Sequence, residues 1–223
     1  MLSRWAARRG VTLFVFFLLS CEPSVSEIAS LPWVNRERCL APCELEPPQL
    51  VSVGRDGRVA ARESSLRLRV EVQPALERWL SAARDAGFRV ELSSGYRSYD
   101  EQERVFMSTF ENGRAARPGH SEHQLGSAVD LRYDSSAAER WLAESAAQHG
   151  FVQSYPAGRQ GVSGYPPEPW HFRFVGPRLA AQVARTGATL EELFRRYGSR
   201  VPAGDCQRCP SLLSREPTLA SAP

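Results

Sequence analysis

The apolar positions of this chain change period along its length, and each change marks an element. Val72, Ala75, Leu76, Trp79, Leu80 and Ala83 recur at the spacing of one helical face, which predicts a helix from Val72 to about Ala86, stopped by Gly87. Phe88 to Leu92 alternates apolar and charged residues, the period of a half-buried strand. Ser98 and Glu101 form a capping box that opens a helix running to about Phe110. After a turn-rich loop from Gly113 to Gln124, the short apolar run Ser127 to Leu131 reads as a central strand. A second capping box, Ser136 with Glu139, starts a helix reaching Gln148 with Ala138, Trp141 and Leu142 inward. Phe151 to Tyr155 is the next strand, Pro156 to Pro167 a surface loop, and Trp170 to Val175 the last core strand. Two short helices follow, one from about Pro177 and one capped by Thr189 and Glu192, with Leu190, Leu193, Phe194 and Tyr197 on one face. The strands are short and unevenly connected among helices, which favours an α+β fold over a doubly wound sheet.

The two ends break from this pattern. Residues 1–21 join a basic start (Arg4, Arg8, Arg9) to the apolar run Val11 to Leu19, the order of an export signal. That run is well short of the ~20 residues a spanning helix needs. Leu18-Leu19-Ser20-Cys21 resembles a bacterial lipobox, in which the cysteine is lipidated and becomes the new N-terminus. An ordinary signal peptide cut near position 30 is the alternative. Residues 22–65 hold Pro23, Pro32, Pro42, Pro47 and Pro48 with little periodicity and suit a tether, part of which the cysteines pin onto the domain. The folded domain is expected over residues 66–200, and residues 201–223 form a Pro- and Ser-rich tail with little order expected beyond Cys209.

Composition narrows the function. The formal charge of +3 falls to near neutral once Arg4, Arg8 and Arg9 leave with the signal, so no nucleic-acid partner is implied. Cys39, Cys43, Cys206 and Cys209 remain in an exported chain, where two disulfides are the default and three connectivities are open. A four-cysteine zinc site is the poorer alternative, because its spacings and the oxidising compartment argue against it. The cysteines flank the expected domain and read as staples between or within the terminal arms.

The chemistry concentrates in two segments. Ser121-Glu122-His123-Gln124-Leu125-Gly126-Ser127-Ala128-Val129-Asp130 and Glu168-Pro169-Trp170-His171 supply two imidazoles and a carboxylate able to hold zinc, plus a free glutamate. Catalytic zinc sites use three such ligands and keep a position for a water whose pKa falls to about 7. His123 and Asp130 are an odd number of residues apart, so one continuous strand would put them on opposite faces. They meet one metal only if the chain turns between them, and Gly126 supplies the turn. His171 lies on a strand whose other face carries Trp170, Phe172 and Phe174. Glu168 stands before Pro169, which breaks strand pairing and frees the carboxylate to serve as a base. Arg97, at the turn into a helix, carries a permanent charge that can grip a carboxylate or an oxyanion. Taken singly, a lone His or Asp would be read as structural, and His149 at a helix end is read that way. His120 is expected in the cleft, with no role attached.

The Ser-x-His-x-x-Gly-x-Ala-x-Asp stretch, the Glu-Pro-Trp-His segment and Ser94-Gly95-Tyr96-Arg97-Ser98 together resemble the VanY-type D-alanyl-D-alanine carboxypeptidases. These are zinc peptidases of the group that includes lysostaphin-like enzymes and the Hedgehog domain. The resemblance covers roughly residues 70–176. It implies a small antiparallel sheet with packed helices and an open zinc cleft. It also implies His123, Asp130 and His171 as metal ligands, Glu168 as base and Arg97 in the transition-state role, with Gln102 and Ser121 as substrate contacts. The expected function is a zinc carboxypeptidase acting on peptidoglycan stem peptides, in the cell envelope, held to the membrane through a lipid on Cys21 and facing the periplasm; no oligomer is implied. A murein endopeptidase of the same chemistry and a non-catalytic zinc-containing wall-binding lipoprotein are the alternatives. Glu168 argues against the latter, because a structural site needs no free base.

Overall fold

The computed structural model describes residues 23–54, 59–63, 65–109, 115–198, 203–206 and 209. The expected export signal with Cys21, Phe110 at the expected end of the second helix, and most of the tail lie outside them. No helix among the described residues is long and apolar enough to cross a membrane.

The fold is α+β. Four strands, β3 (Val90–Ser94), β4 (Ala128–Tyr133), β5 (Phe151–Gln153) and β6 (His171–Phe174), form an antiparallel sheet in the order β3-β4-β6-β5. Alternation along these strands gives the sheet two different faces. Leu92, Val129, Leu131, Phe151 and Phe172 pack on α2 (Gln73–Asp85) through Leu76, Trp79 and Ala83, and on α4 (Ser136–Ser145) through Leu142. Trp79 sits at the centre. It stacks on Phe151 at 4.9 Å, meets Phe172 edge-on at 5.0 Å and donates its indole N–H to Ser145 Oγ at 2.9 Å. That bond removes the cost of burying the polar tip of a large apolar ring. The opposite face carries Asp130, His171 and Arg173. Asp130 and His171 are direct cross-strand partners, so their side chains emerge side by side.

The expected elements appear with small shifts. β3 begins at Val90 rather than Phe88, and β5 stops at Gln153. The box of Ser98 and Glu101 is formed and opens α3 (Tyr99–Thr109). The cap of α4 is Ser135, not Ser136: Ser135 is extended and takes the N–H of Ala138, while Glu139 accepts the hydroxyl of Tyr133 instead of closing a box. The loop 156–167 contains a short helix, α5 (Gln160–Ser163). α6 (Pro177–Thr186) and α7 (Leu190–Tyr197) follow, the latter with the reciprocal Thr189–Glu192 cap.

The N-terminal arm is not a free tether. α1 (Val25–Ser30) packs Ile28 into a second core with Val152, Val175, Leu179, Leu190 and Phe194. β1 (Leu50–Ser52) pairs with β2 (Arg67–Arg69). Of the three possible cysteine pairings, Cys39–Cys206 and Cys43–Cys209 are formed, so no four-cysteine zinc site exists. Proline density suggested a tether because it signals loss of regular structure, not loss of packing.

Candidate metal centre and cleft

Gly126 makes the turn the spacing requires. It ends a single 3-10 turn, Glu122–Leu125, in the left-handed conformation (φ 69°). A side chain there would also press on Arg69 Cγ at 2.9 Å. His123 thus lies in a turn ahead of β4, and Asp130 lies on the strand. Ser121 caps the turn by accepting the His123 N–H at 3.3 Å. His171 is delivered by a turn over Glu168–His171, in which the His171 N–H reaches the Glu168 carbonyl at 3.1 Å and Pro169 takes the second position.

The three side chains converge. His123 Nε2 lies 3.3 Å from Asp130 Oδ2, His171 Nδ1 lies 3.0 Å from Asp130 Oδ1, and one ligand atom from each residue falls within 4.8 Å of the others. Each imidazole is anchored through its other nitrogen. His123 Nδ1 donates to the carbonyl of Gly95 at 2.7 Å, which directs the Nε2 lone pair toward Asp130. His171 Nε2 meets Glu122 Oε2 at 3.0 Å, leaving Nδ1 toward Asp130. Two imidazoles with inward lone pairs beside one carboxylate are the donor set of a catalytic zinc site.

The electrostatics suit that role at His123 and Asp130, whereas at His171 the two neighbouring carboxylates favour the protonated ring when no cation lies between them. Burial, with the charge of Arg97, lowers the pKa of His123 and favours the neutral ligand form. Burial raises the Asp130 carboxyl, but His123 and His171 outweigh it and hold the group well below the ordinary carboxylate range. For His171, burial opposes protonation, while its bonds to Asp130 and Glu122 raise the pKa.

Both further residues expected in the chemistry face the same cleft, which encloses about 180 Å³. Glu168 Oε2 is 3.9 Å from His171 Nδ1, and the side chain is 19% exposed. Burial raises its pKa, against the opposing effects of His171 and Arg97. Arg97 is fixed through its backbone N–H, which donates to the His123 carbonyl at 3.3 Å. Its Nε is buried without a hydrogen-bond partner among the described residues. Burial lowers its pKa, and the nearby charges of Asp130 and Glu168 act the other way. Gln102 is 1% exposed; its amide N–H donates to the Ala116 carbonyl at 2.7 Å, while its Oε1, at the cleft wall, has no partner among the described residues.

Two residues differ from expectation, and two more that support the site were not singled out in the sequence. His120 does not line the cleft: its Nδ1 lies 2.7 Å from the Asn35 carbonyl, tying the metal loop to the arm. Trp170 stands 39% exposed and lines the cleft rather than being buried like Phe172, because it belongs to the turn over Glu168–His171. Glu122, beside His123, is 6% exposed and bonds His171; its sequence position carried no signal of burial. Arg173 was likewise not singled out, although strand alternation, which puts it on the face of His171, could have found it.

Residues 65–177 match the family described as VanY: D-alanyl-D-alanine carboxypeptidase. The chain belongs to the VanY family. Its character as a metallopeptidase agrees with the converging donors. YodJ of Bacillus subtilis is 32% identical over 184 residues, which is 74% of this chain and 67% of that one. Among solved structures, the LdcB LD-carboxypeptidase, reported for its peptidoglycan recognition, is 31% identical with a TM-score of 0.65, covering 73% of this chain and 84% of LdcB. A Zn(II) complex of the vancomycin-resistance D,D-pentapeptidase VanY is 28% identical with a TM-score of 0.64, covering 74% of this chain and 98% of its own. The VanY match runs from residue 65 to residue 177, so most of the disulfide-bearing arm, α6 and α7 lie outside the matched segment.

Proposed function

We propose that this VanY-family protein is a zinc-dependent carboxypeptidase that hydrolyses a terminal peptide bond of peptidoglycan stem peptides, of D-Ala-D-Ala or L,D type. The carrying observation is that Glu168 and Arg97 face the same small cleft as the inward donor atoms of His123, Asp130 and His171. Zinc bound there would supply Lewis acidity and a water with a pKa of about 7. Glu168 is the proton acceptor: it is close to His171 without being one of the converging donors, and its partial burial keeps the proton it gains from being lost at once to solvent. Arg97 supplies a fixed positive charge where the scissile carbonyl oxygen becomes negative. The unpartnered Oε1 of Gln102 accepts a substrate N–H, and Ser121 borders the same space. A carboxypeptidase must also recognise a terminal carboxylate, and a cleft holding a guanidinium suits one.

A lipid on Cys21 would place the enzyme at the cell envelope, facing the periplasm. An endopeptidase would need an extended groove on both sides of the metal. The test is metal analysis of the purified soluble protein followed by mass spectrometry of stem peptides. One zinc per chain and loss of a terminal residue are expected; internal cleavage, or zinc without hydrolysis, would overturn the proposal.

A further inference from the structure

Behind the metal ligands lies a buried ionic cluster that the proposed chemistry does not use. The carboxylate of Glu122 receives Ser154 Oγ at 2.6 Å and His171 Nε2 at 3.0 Å on Oε2, and Arg173 Nη1 at 3.0 Å on Oε1. Arg173 is 1% exposed. Its Nη2 donates to the carbonyl of Pro32 in the N-terminal arm, and its guanidinium lies 5.5 Å from the ring centre of Phe194 on α7. Trp33 stacks on that Phe194 ring at 5.4 Å, and Trp33 and Asn35 both donate to Glu191. Besides Glu122, the supports of Arg173 therefore come from residues on either side of the family segment, 65–177.

We infer that Glu122, braced by Arg173 and the arm, is a positioning residue that orients the imidazole of His171 and strengthens zinc binding. The inference rests on the reading of His123, Asp130 and His171 as zinc ligands. A carboxylate paired with arginine only accepts hydrogen bonds, so the ring nitrogen facing it must carry the proton. Nε2 is thereby fixed as the donor, and Nδ1 keeps its lone pair toward Asp130 and His123. A ring turned over would set a C–H against Glu122 and forfeit a charge-assisted bond between two side chains that are 6% and 3% exposed. Carboxylate–histidine contacts of this kind typically change metal affinity 10–100-fold.

The test compares zinc affinity, by chelator competition, in the full exported chain and in Glu122→Gln, Glu122→Asp and Glu122→Ala. Binding about 10–100-fold weaker is expected for Gln and Ala, with partial recovery in Asp, which keeps the charge. At limiting zinc the Gln variant loses hydrolysis, and excess zinc restores most of it; a purely structural role would not be rescued this way. Nitrogen-15 NMR of the zinc-loaded wild type is expected to show an exchange-protected Nε2–H on His171. Absence of that proton in the wild type overturns the inference even if no variant folds. So does wild-type zinc affinity in Glu122→Gln. A zinc-loaded wild type that shows the protected proton yet hydrolyses no stem peptide overturns the proposed function and leaves this inference standing.

Discussion

The two disulfides make a prediction that simple addition gets wrong. Cys39–Cys206 and Cys43–Cys209 span 167 and 166 residues and close almost the same loop. Chain-entropy reasoning gives about 5 kcal/mol for closing a loop of that length. Once one bond is present, the other closes only the small ring made by the Cys39-to-Cys43 and Cys206-to-Cys209 segments, which contributes about 2.5 kcal/mol by the same relation. Replacing either cysteine pair by alanine is therefore expected to cost about 2.5 kcal/mol, and replacing both about 7–8 kcal/mol, well above twice the single effect. The larger loss is comparable with the whole stability of a domain, about 5–15 kcal/mol. It would also release the metal loop, because Leu40 donates to the Gly119 carbonyl at 2.9 Å and Gln124 Nε2 to the Cys43 carbonyl at 3.2 Å. Urea unfolding of metal-free protein followed by circular dichroism measures all four states, with m-values monitoring changes in the unfolded chain. Strictly additive losses, or a single pair costing the full 5 kcal/mol, would refute the shared-loop reasoning.

Other predictions concern the cleft, the core and the N-terminus. Glu168→Gln keeps stoichiometric zinc and loses about 10²–10⁴-fold in hydrolysis; near-normal turnover with zinc confirmed would remove Glu168 as base. Arg97→Ala retains metal but binds a phosphinate mimic of the tetrahedral state much more weakly, whereas Glu168→Gln holds that mimic better than its activity suggests; inhibitor titration separates the two. Phe172→Ala removes a fully buried ring from the contact with Trp79 and is expected to cost about 3–5 kcal/mol in thermal or urea unfolding. Cys21→Ser abolishes lipid labelling and membrane association, and unchanged labelling would sink the anchor without touching the chemistry.

Much of this protein was determined locally. The helical face from Val72 to Ala83, the Ser98–Glu101 and Thr189–Glu192 caps and the alternation before Leu92 are short-range patterns, and each produced the element it predicted. The meeting of the candidate donors was legible for a related reason: His123, Gly126 and Asp130 lie in one continuous segment, and the parity of their spacing required the turn that Gly126 makes. Tertiary structure decided what depends on residues far apart in the chain. The arm carries no periodicity, yet Ile28 and Trp33 find apolar partners on α7, and that burial ordered what composition alone read as a tether. Cysteine pairing followed from which sulfurs the folded arms bring together. The burial of Glu122 had no local sign, because a charged residue enters the interior only when its partners, here His171 and Arg173 from a distant strand, come to meet it.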